Sequence, residues 1–144
     1  MQPIRIIEIP DCKMVSSGEG RFGDGNFDRF EKWFAGLPRT IHPRDYLTDG
    51  KSGGYCWLYM YEDGMDTAGF EVADFRGGLY AVATDIDQKT NVKAMDRAVN
   101  KFLKANGFVR DNSRKQLGNI ITPPEAQKVM GYNHMDYYTP VKVR

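Results

Sequence analysis

An internal repeat is the feature that most constrains the fold of this 144-residue chain. Residues 7–13 read Ile-Glu-Ile-Pro-Asp-Cys-Lys and residues 70–76 read Phe-Glu-Val-Ala-Asp-Phe-Arg, 63 positions later. Residues 27–34 and 95–102 form a second pair, 68 positions apart, and a five-residue insertion in the second copy reconciles the two spacings. Such self-similarity indicates duplication. We therefore predict one domain, residues 1–144, made of two copies of one unit, 1–64 and 65–144.

Each half has the pattern of a β-α-β-β unit. The first helix is predicted from rings at helical spacing after a glycine-rich loop at 18–25, with Asn26 as its N-cap and Gly36 at its end. The second is predicted at 92–105, between Asn91 and Gly107. Residues 85–90 and 122–124 are predicted as a loop and a turn. Strands are predicted at 4–9, 13–17, 44–48, 55–61, 70–75, 79–83, 116–121 and 135–143.

Short connections between neighbouring strands favour antiparallel pairing. The fold class is therefore α+β, with tandem β-α-β-β units related by a pseudo-two-fold and an antiparallel sheet covered by two helices. In the first helix, the spacing of Phe27, Phe30, Trp33 and Phe34 is typical of a face that packs on the core.

Composition narrows the function classes. The net charge is +1 and no basic stripe is visible, which disfavours direct nucleic-acid binding. Neither a signal peptide nor an apolar run of membrane-spanning length is recognisable. Cys12 and Cys56 form no CxxC pair, so we expect free thiols in the cytoplasm, with no membrane partner. The basic residues between Arg110 and Lys115 are predicted to lie in a solvated loop.

The predicted strand at 55–61 is the main site candidate. Side chains alternate between the two faces of a strand. Tyr55, Trp57, Tyr59 and Tyr61 therefore share one face, whereas residues 56, 58 and 60 share the other, which we expect to be ordinary core beneath a helix. Aromatic faces attract cations and stack on planar ligands. The ring row predicts either a ligand pocket or packing beneath a helix.

Two further segments resemble a known family. Gly77-Gly78-Leu79-Tyr80-Ala81-Val82 is a glycine turn that enters a strand, and Tyr137-Tyr138-Thr139-Pro140-Val141-Lys142 is similar to a closing strand. With the tandem architecture, these motifs resemble the bacterial effector-binding domains of multidrug-sensing transcription regulators, AraC-type regulators among them, and of gyrase-inhibitor-like proteins. The haem-binding SOUL family is a more distant likeness. The resemblance spans essentially the whole chain.

The resemblance implies a pocket between the two halves for bulky, often cationic, aromatic compounds. It implies that Tyr80 and Tyr138 contribute to that pocket. The family's usual pocket glutamate is missing, because residues 116–122 contain no acid. No DNA-binding segment is expected beside the domain. Trp33 and Phe102, which are large rings on the predicted helix faces, complete the aromatic candidates.

The acids nearest the ring row in sequence are Glu62 and Glu71, either of which can neutralise a cation or simply face water. His42 and His134 lie in no ligand-spaced cluster, so neither a metal, haem nor another cofactor is expected. No catalytic residue is assigned. We expect a binding module for planar cationic or amphipathic compounds. A small hydrolase acting on electrophilic ligands, and a protein-interaction module with a protein partner or as a homodimer, stay open as alternatives.

Overall fold

The computed structural model describes residues 3–40 and 43–144, so His42 and the first two residues lie outside the described part of the chain. The fold is α+β with antiparallel strand pairs, as predicted. In chain order the elements are β1 (Arg5–Ile9), β2 (Cys12–Gly20), α1 (Gly25–Ala35), β3 (Asp45–Asp49), β4 (Tyr55–Met60), β5 (Glu71–Phe75), β6 (Gly78–Ile86), α2 (Val92–Asn106), β7 (Phe108–Arg110), β8 (Leu117–Ile120), α3 (Pro124–Met130) and β9 (His134–Val143).

The chain forms two compact units. The central unit is Asp11–Arg76, and the terminal unit comprises the residues up to Pro10 together with Gly77–Arg144. The internal duplication and its boundary between residues 64 and 65 stay predictions. Among the described residues, no helix is long and apolar enough to cross a membrane.

In the central unit the strand order is β3-β4-β2-β5, and α1 packs on one face. The predicted helix is present, but its cap differs. Asp24, not Asn26, is the N-cap, and its carboxylate accepts a 2.7 Å hydrogen bond from the backbone N–H of Phe27. β2 also continues to Gly20, into the predicted glycine-rich loop. The helix begins at Gly25, before the first ring of its apolar stripe, because the Asp24 carboxylate accepts a hydrogen bond from a free N–H group of the first turn.

In the terminal unit the strand order is β1-β6-β9-β8, and β7 also pairs with β9. α2 begins after Asn91 and ends before Gly107, as predicted; Gly107 has a φ of 82°, which glycine adopts without strain. Side chains of α2 pack on Ala81, Ala83 and Val141. Three predictions were wrong here. The region 85–90 was predicted as a loop, but β6 runs to Ile86. The short strand β7 was not predicted. A third helix, α3, follows the predicted turn at 122–124.

Candidate functional site

The ring row of β4 lies under α1 in the central unit. The Trp57 ring lies 5.4 Å from Phe30 and 5.6 Å from Phe34, centroid to centroid. Tyr59 lies 5.8 Å from Trp33. The ring row, and not the face of residues 56, 58 and 60 as expected, therefore packs beneath this helix, which is the alternative that the sequence left open for the row. Both faces of β4 are apolar, so alternation alone did not indicate which one the helix covers.

The row changes from buried to exposed along the strand. Tyr59 is buried, Tyr61 just beyond the strand is half-buried in the same cluster, and Tyr55 is exposed. Phe22, in the turn before α1, is 60% exposed, and its ring lies 6.0 Å from those of Tyr55 and Trp57. The row thus joins the core of the central unit, and its solvent-facing end is formed by Tyr55 and Phe22.

Glu62 and Glu71, the two acids proposed from sequence, are both exposed. Glu62 forms a 2.7 Å ion pair with Arg44, and Glu71 is exposed at the start of the edge strand β5. Asp45 was missed and contacts the row directly: its Oδ2 accepts a 3.0 Å hydrogen bond from Trp57 Nε1. Burial raises the pKa of Asp45, and the Trp57 bond partly opposes that shift.

Tyr80 and Tyr138 come together in the terminal unit. Their rings lie 6.2 Å apart in an edge-to-face arrangement, and both side chains are buried. The Tyr138 hydroxyl donates a 3.1 Å hydrogen bond to Asn119 Oδ1 on β8. Because side chains alternate, these groups lie on the sheet face opposite the one that Ala81, Ala83 and Val141 present to α2. Phe102 of α2 packs against that other cluster.

A buried carboxylate lies on the same face as the two tyrosines. Asp136 is 1% exposed and stands opposite both Thr84 and Asn119 in the strand registers. Arg5 Nη2 donates to Asp136 Oδ2 at 2.8 Å, and Thr84 Oγ1 donates to Oδ1 at 2.5 Å. We call this largely buried face of the sheet the tyrosine face; it comprises Tyr80, Val82, Thr84, Leu117, Asn119, Asp136 and Tyr138.

Asp136 was missed from the sequence, although a signal was present. It lies two residues before Tyr138 in a predicted strand, and alternation places both side chains on one face. The family's usual position for the acid, in the segment 116–122, holds none, and the acids proposed in its place were Glu62 and Glu71. The buried acid lies on β9, the strand that pairs with β8, and not on β8 itself.

Arg114 is also buried, so the prediction of a solvated loop was wrong for this residue. Its side chain is 6% exposed, and Nη2 donates to the carbonyl oxygens of Leu79 and Val141 at 2.8 and 2.9 Å. The guanidinium carbon lies 4.7 Å from the centroid of the Tyr80 ring. The sequence showed only that this loop contains several charged residues. The carbonyl oxygens that bind Arg114 lie on β6 and β9, which are distant from it in sequence, so its burial was not predictable from the loop alone.

Two open grooves are found in the central unit. One, of about 440 Å³, is lined by residues 11–13 and 74–76, and the other, of about 420 Å³, lies around the β3–β4 loop. The ring row lines neither of them. Cys12 and Cys56 are free thiols, as predicted. Across residues 3–40 and 43–144, no group of three or more His, Cys, Asp and Glu side chains is arranged to hold a metal ion.

The sequence matches no family model and no curated protein. The fold is nevertheless similar to solved structures. The C-terminal domain of EcmrR aligns with a TM-score of 0.60 at 10% identity, over 99% of this chain and 98% of that one. A hydrolase from Listeria innocua aligns at 0.65 and 12% identity, over 96% and 91%. SAV2435 bound to tetraphenylphosphonium aligns at 0.57 and 12% identity, over 98% and 94%.

These likenesses extend over nearly the whole chain at identities that establish the fold alone. They agree with the architecture expected from the glycine turn at Gly77-Gly78 and from the closing strand β9. The chain therefore has an effector-binding-domain-like fold.

Proposed function

We propose that this protein binds bulky organic cations at the tyrosine face of the terminal unit. The observation that carries the proposal is the buried Asp136 carboxylate on the same strand face as the Tyr80 and Tyr138 rings. Ligand sites combine mostly apolar walls with a few placed polar groups. A buried negative charge beside aromatic rings suits a cation whose charge is surrounded by apolar groups.

The polar groups of the face can orient such a ligand. Asn119 Oδ1 accepts a hydrogen bond from the Tyr138 hydroxyl, which holds that ring in one orientation. Arg114 already lies over the Tyr80 ring, so the proposal depends more on Tyr138 and Asp136. Fold similarity to SAV2435, solved with tetraphenylphosphonium, supports an organic cation as ligand class.

The test is calorimetric titration of the wild type with tetraphenylphosphonium and with the neutral triphenylphosphine oxide. We expect saturable binding of the cation, weakened about tenfold or more by Asp136→Asn, because removal of a buried charge partner acts on cations in particular. Tyr138→Ala should weaken binding of both compounds, whereas Tyr138→Phe keeps the ring and should retain it. Equal affinity of wild type and Asp136→Asn for the cation would refute the proposed site.

The ring row of the central unit provides the competing location for the same function. Trp57 belongs to the ring row and Trp33 of α1 packs against it, so tryptophan fluorescence reports on the central unit. If cations quench this fluorescence and Trp57→Ala abolishes their binding while Asp136→Asn does not, the ligand binds in the ring row. In that case Asp45 is the acid that meets the cation.

Hydrolysis of electrophilic compounds is a second candidate function, favoured by the fold similarity to a hydrolase from Listeria innocua. On the tyrosine face, Asp136 would act as a base and Tyr138 as a hydrogen-bond donor. Incubation with activated esters and epoxides, followed by mass spectrometry, separates the two functions. Products that form with the wild type and not with Asp136→Asn would indicate an enzyme, whereas bound and unchanged cations indicate a binding module.

A protein-interaction role has its own supporting observation on α3. Val129 is 88% exposed, and Met130 and Tyr132 beside it are also exposed. Exposed apolar side chains grouped in this way are typical of contact surfaces. Concentration-dependent sedimentation of the wild type and of Val129→Ser tests self-association through this surface, which is independent of cation binding.

A further inference from the structure

We propose that Arg5 occupies the cation position of the tyrosine face, and that an organic cation binds by exchanging with the Arg5 guanidinium on Asp136. This inference rests on the function proposed above and defines how that site is regulated. Arg5 Nη2 donates to Asp136 Oδ2 at 2.8 Å, and Nη1 reaches Thr84 Oγ1 at 3.4 Å. The guanidinium thus lies where a ligand cation would meet the carboxylate.

The burial of Asp136 creates the need for a cation at this position. A carboxylate that is 1% exposed has lost its hydration and requires a compensating positive charge or hydrogen bonds. Arg5 supplies the charge, and Thr84 supplies a hydrogen bond. The unliganded face is therefore already neutralised. A ligand cation gains from Asp136 only to the extent that it replaces Arg5.

Arg5 is positioned to leave the carboxylate. Its side chain is 44% exposed, although its partner is buried, so the guanidinium borders on water while it contacts Asp136. Long arginine stems swing easily, and a released guanidinium regains solvent contacts. Arg114 on the same unit is the contrasting case, because it is 6% exposed and bound to two carbonyl oxygens and to Asp111.

The exchange also determines which ligand charge is selected. It leaves the net charge beside Asp136 unchanged, but the released guanidinium regains its solvent contacts, so the Asp136 carboxylate contributes to cation affinity together with the apolar surface of the ligand that leaves water. A neutral compound cannot take the place of Arg5 and must bind beside an intact ion pair. The Arg5–Asp136 contact therefore selects ligands that carry a positive charge, while the Tyr138 ring selects ligands by size and shape.

The experiment is a double-mutant cycle with Arg5→Met, Asp136→Asn and the combined variant, titrated with tetraphenylphosphonium and with triphenylphosphine oxide. We expect Arg5→Met to raise the affinity for the cation about tenfold, since the ligand no longer competes with the guanidinium. Affinity for the neutral compound should change little. In the Asp136→Asn background the Arg5→Met change should have no such effect. Thermal unfolding of each variant verifies folding.

Should Arg5→Met not fold, Arg5→Lys replaces it. Lysine keeps the charge but lacks the fork that reaches both Asp136 and Thr84, so a smaller gain in cation affinity is expected. Binding of the cation by Arg5→Met and not by the wild type would support the exchange in its strongest form.

The two proposals fail in different ways. If the wild type binds the cation, and Asp136→Asn weakens that binding while Arg5→Met leaves it equal or weaker, the exchange is refuted and the binding site stands. If neither the wild type nor any Arg5 variant binds the cation, both proposals are refuted.

Discussion

Trp57 and Asp45 are joined by a 3.0 Å hydrogen bond from the indole Nε1 to a carboxylate oxygen. Asp45 stands opposite Tyr59 in the β3–β4 register, so the carboxylate lies at the margin of the ring row. Burial raises its pKa above the ordinary value of 3.8, and the Trp57 bond only partly offsets this. An ionised Asp45 is therefore less favourable in the folded protein than in the unfolded chain.

This arrangement predicts a pH-dependent stability. A carboxyl whose pKa is raised by folding contributes favourably below its unfolded pKa, and that contribution is lost as the pH rises through the folded pKa. We expect Asp45→Asn to remove this loss, so the variant should gain stability relative to the wild type as the pH is raised from about 4 to about 7. Urea unfolding at a series of pH values measures the difference in free energy of unfolding.

Asp63→Asn is the matched control, because Asp63 is exposed in the turn after β4. Its effect should stay within about 0.5 kcal/mol. If Asp45→Asn instead loses stability relative to the wild type as the pH rises, the Trp57 hydrogen bond outweighs burial and the expected direction for Asp45 is wrong.

Asp45 and Asp136 also show what sequence reasoning predicted and what it missed. The strand β4, the helix α2 with Asn91 and Gly107 at its ends, and the pairing of rings on one strand face follow from local spacing. The identity of the acid beside the rings depends on which residues stand opposite one another in neighbouring strands. Asp45 faces Tyr59 across β3 and β4, and Asp136 faces Asn119 across β9 and β8. Register is set by the whole sheet, so neither cross-strand pair was visible in local sequence, whereas the shared strand face of Asp136 and Tyr138 was.

The buried Arg114 predicts a large loss of stability on substitution. Arg114→Met removes the donor to the carbonyl oxygens of Leu79 and Val141, which join β6 and β9 at that point. Because buried acceptors lose a charged donor, we expect a decrease of about 2 to 4 kcal/mol in the free energy of unfolding. Urea denaturation followed by circular dichroism provides the measurement.

Arg114→Lys separates charge from geometry at the same position. Lysine preserves the positive charge over Tyr80 but cannot reproduce the fork of donors, so most of the loss should persist. Full retention of wild-type stability in Arg114→Lys would show that charge alone suffices and would contradict the assigned role of the two carbonyl contacts.

The glycine turn before β6 is predicted to be intolerant of any side chain at Gly77. A Cβ placed there would overlap the carbonyl oxygen of Ile9 and would lie 2.5 Å from the carbonyl carbon of Pro10, and both are backbone atoms. Since neither neighbour can rotate away, Gly77→Ala should cost more than about 2 kcal/mol or prevent folding. Soluble yield and urea unfolding test this.

Gly64→Ala is the control for the loss of a glycine without a clash. Gly64 has a φ of 83°, and a Cβ added there would have open space within 4 Å, so only backbone strain opposes alanine. We expect a decrease of about 1 kcal/mol. If Gly77→Ala proves as mild as Gly64→Ala, the close approach of β1 to this turn is wrong.

The core of the central unit depends on Phe30. Its side chain is fully buried, and its ring contacts those of Trp33, Trp57 and Phe70 at centroid distances of 5.1, 5.4 and 4.9 Å. Phe30→Ala removes a ring from a packed aromatic cluster and leaves a cavity, so the free energy of unfolding should fall by about 3 to 5 kcal/mol. Urea unfolding monitored by tryptophan fluorescence measures this loss.

Phe22→Ala is the matched control for Phe30→Ala, because it removes the same side chain where that side chain is 60% exposed. It should cost less than about 1 kcal/mol, since little apolar surface returns to water. The same fluorescence signal compares the two variants directly, because the Trp57 ring contacts both phenylalanines. Similar losses in both variants would contradict the assignment of Phe30 to the core and of Phe22 to the solvent-facing end of the ring row.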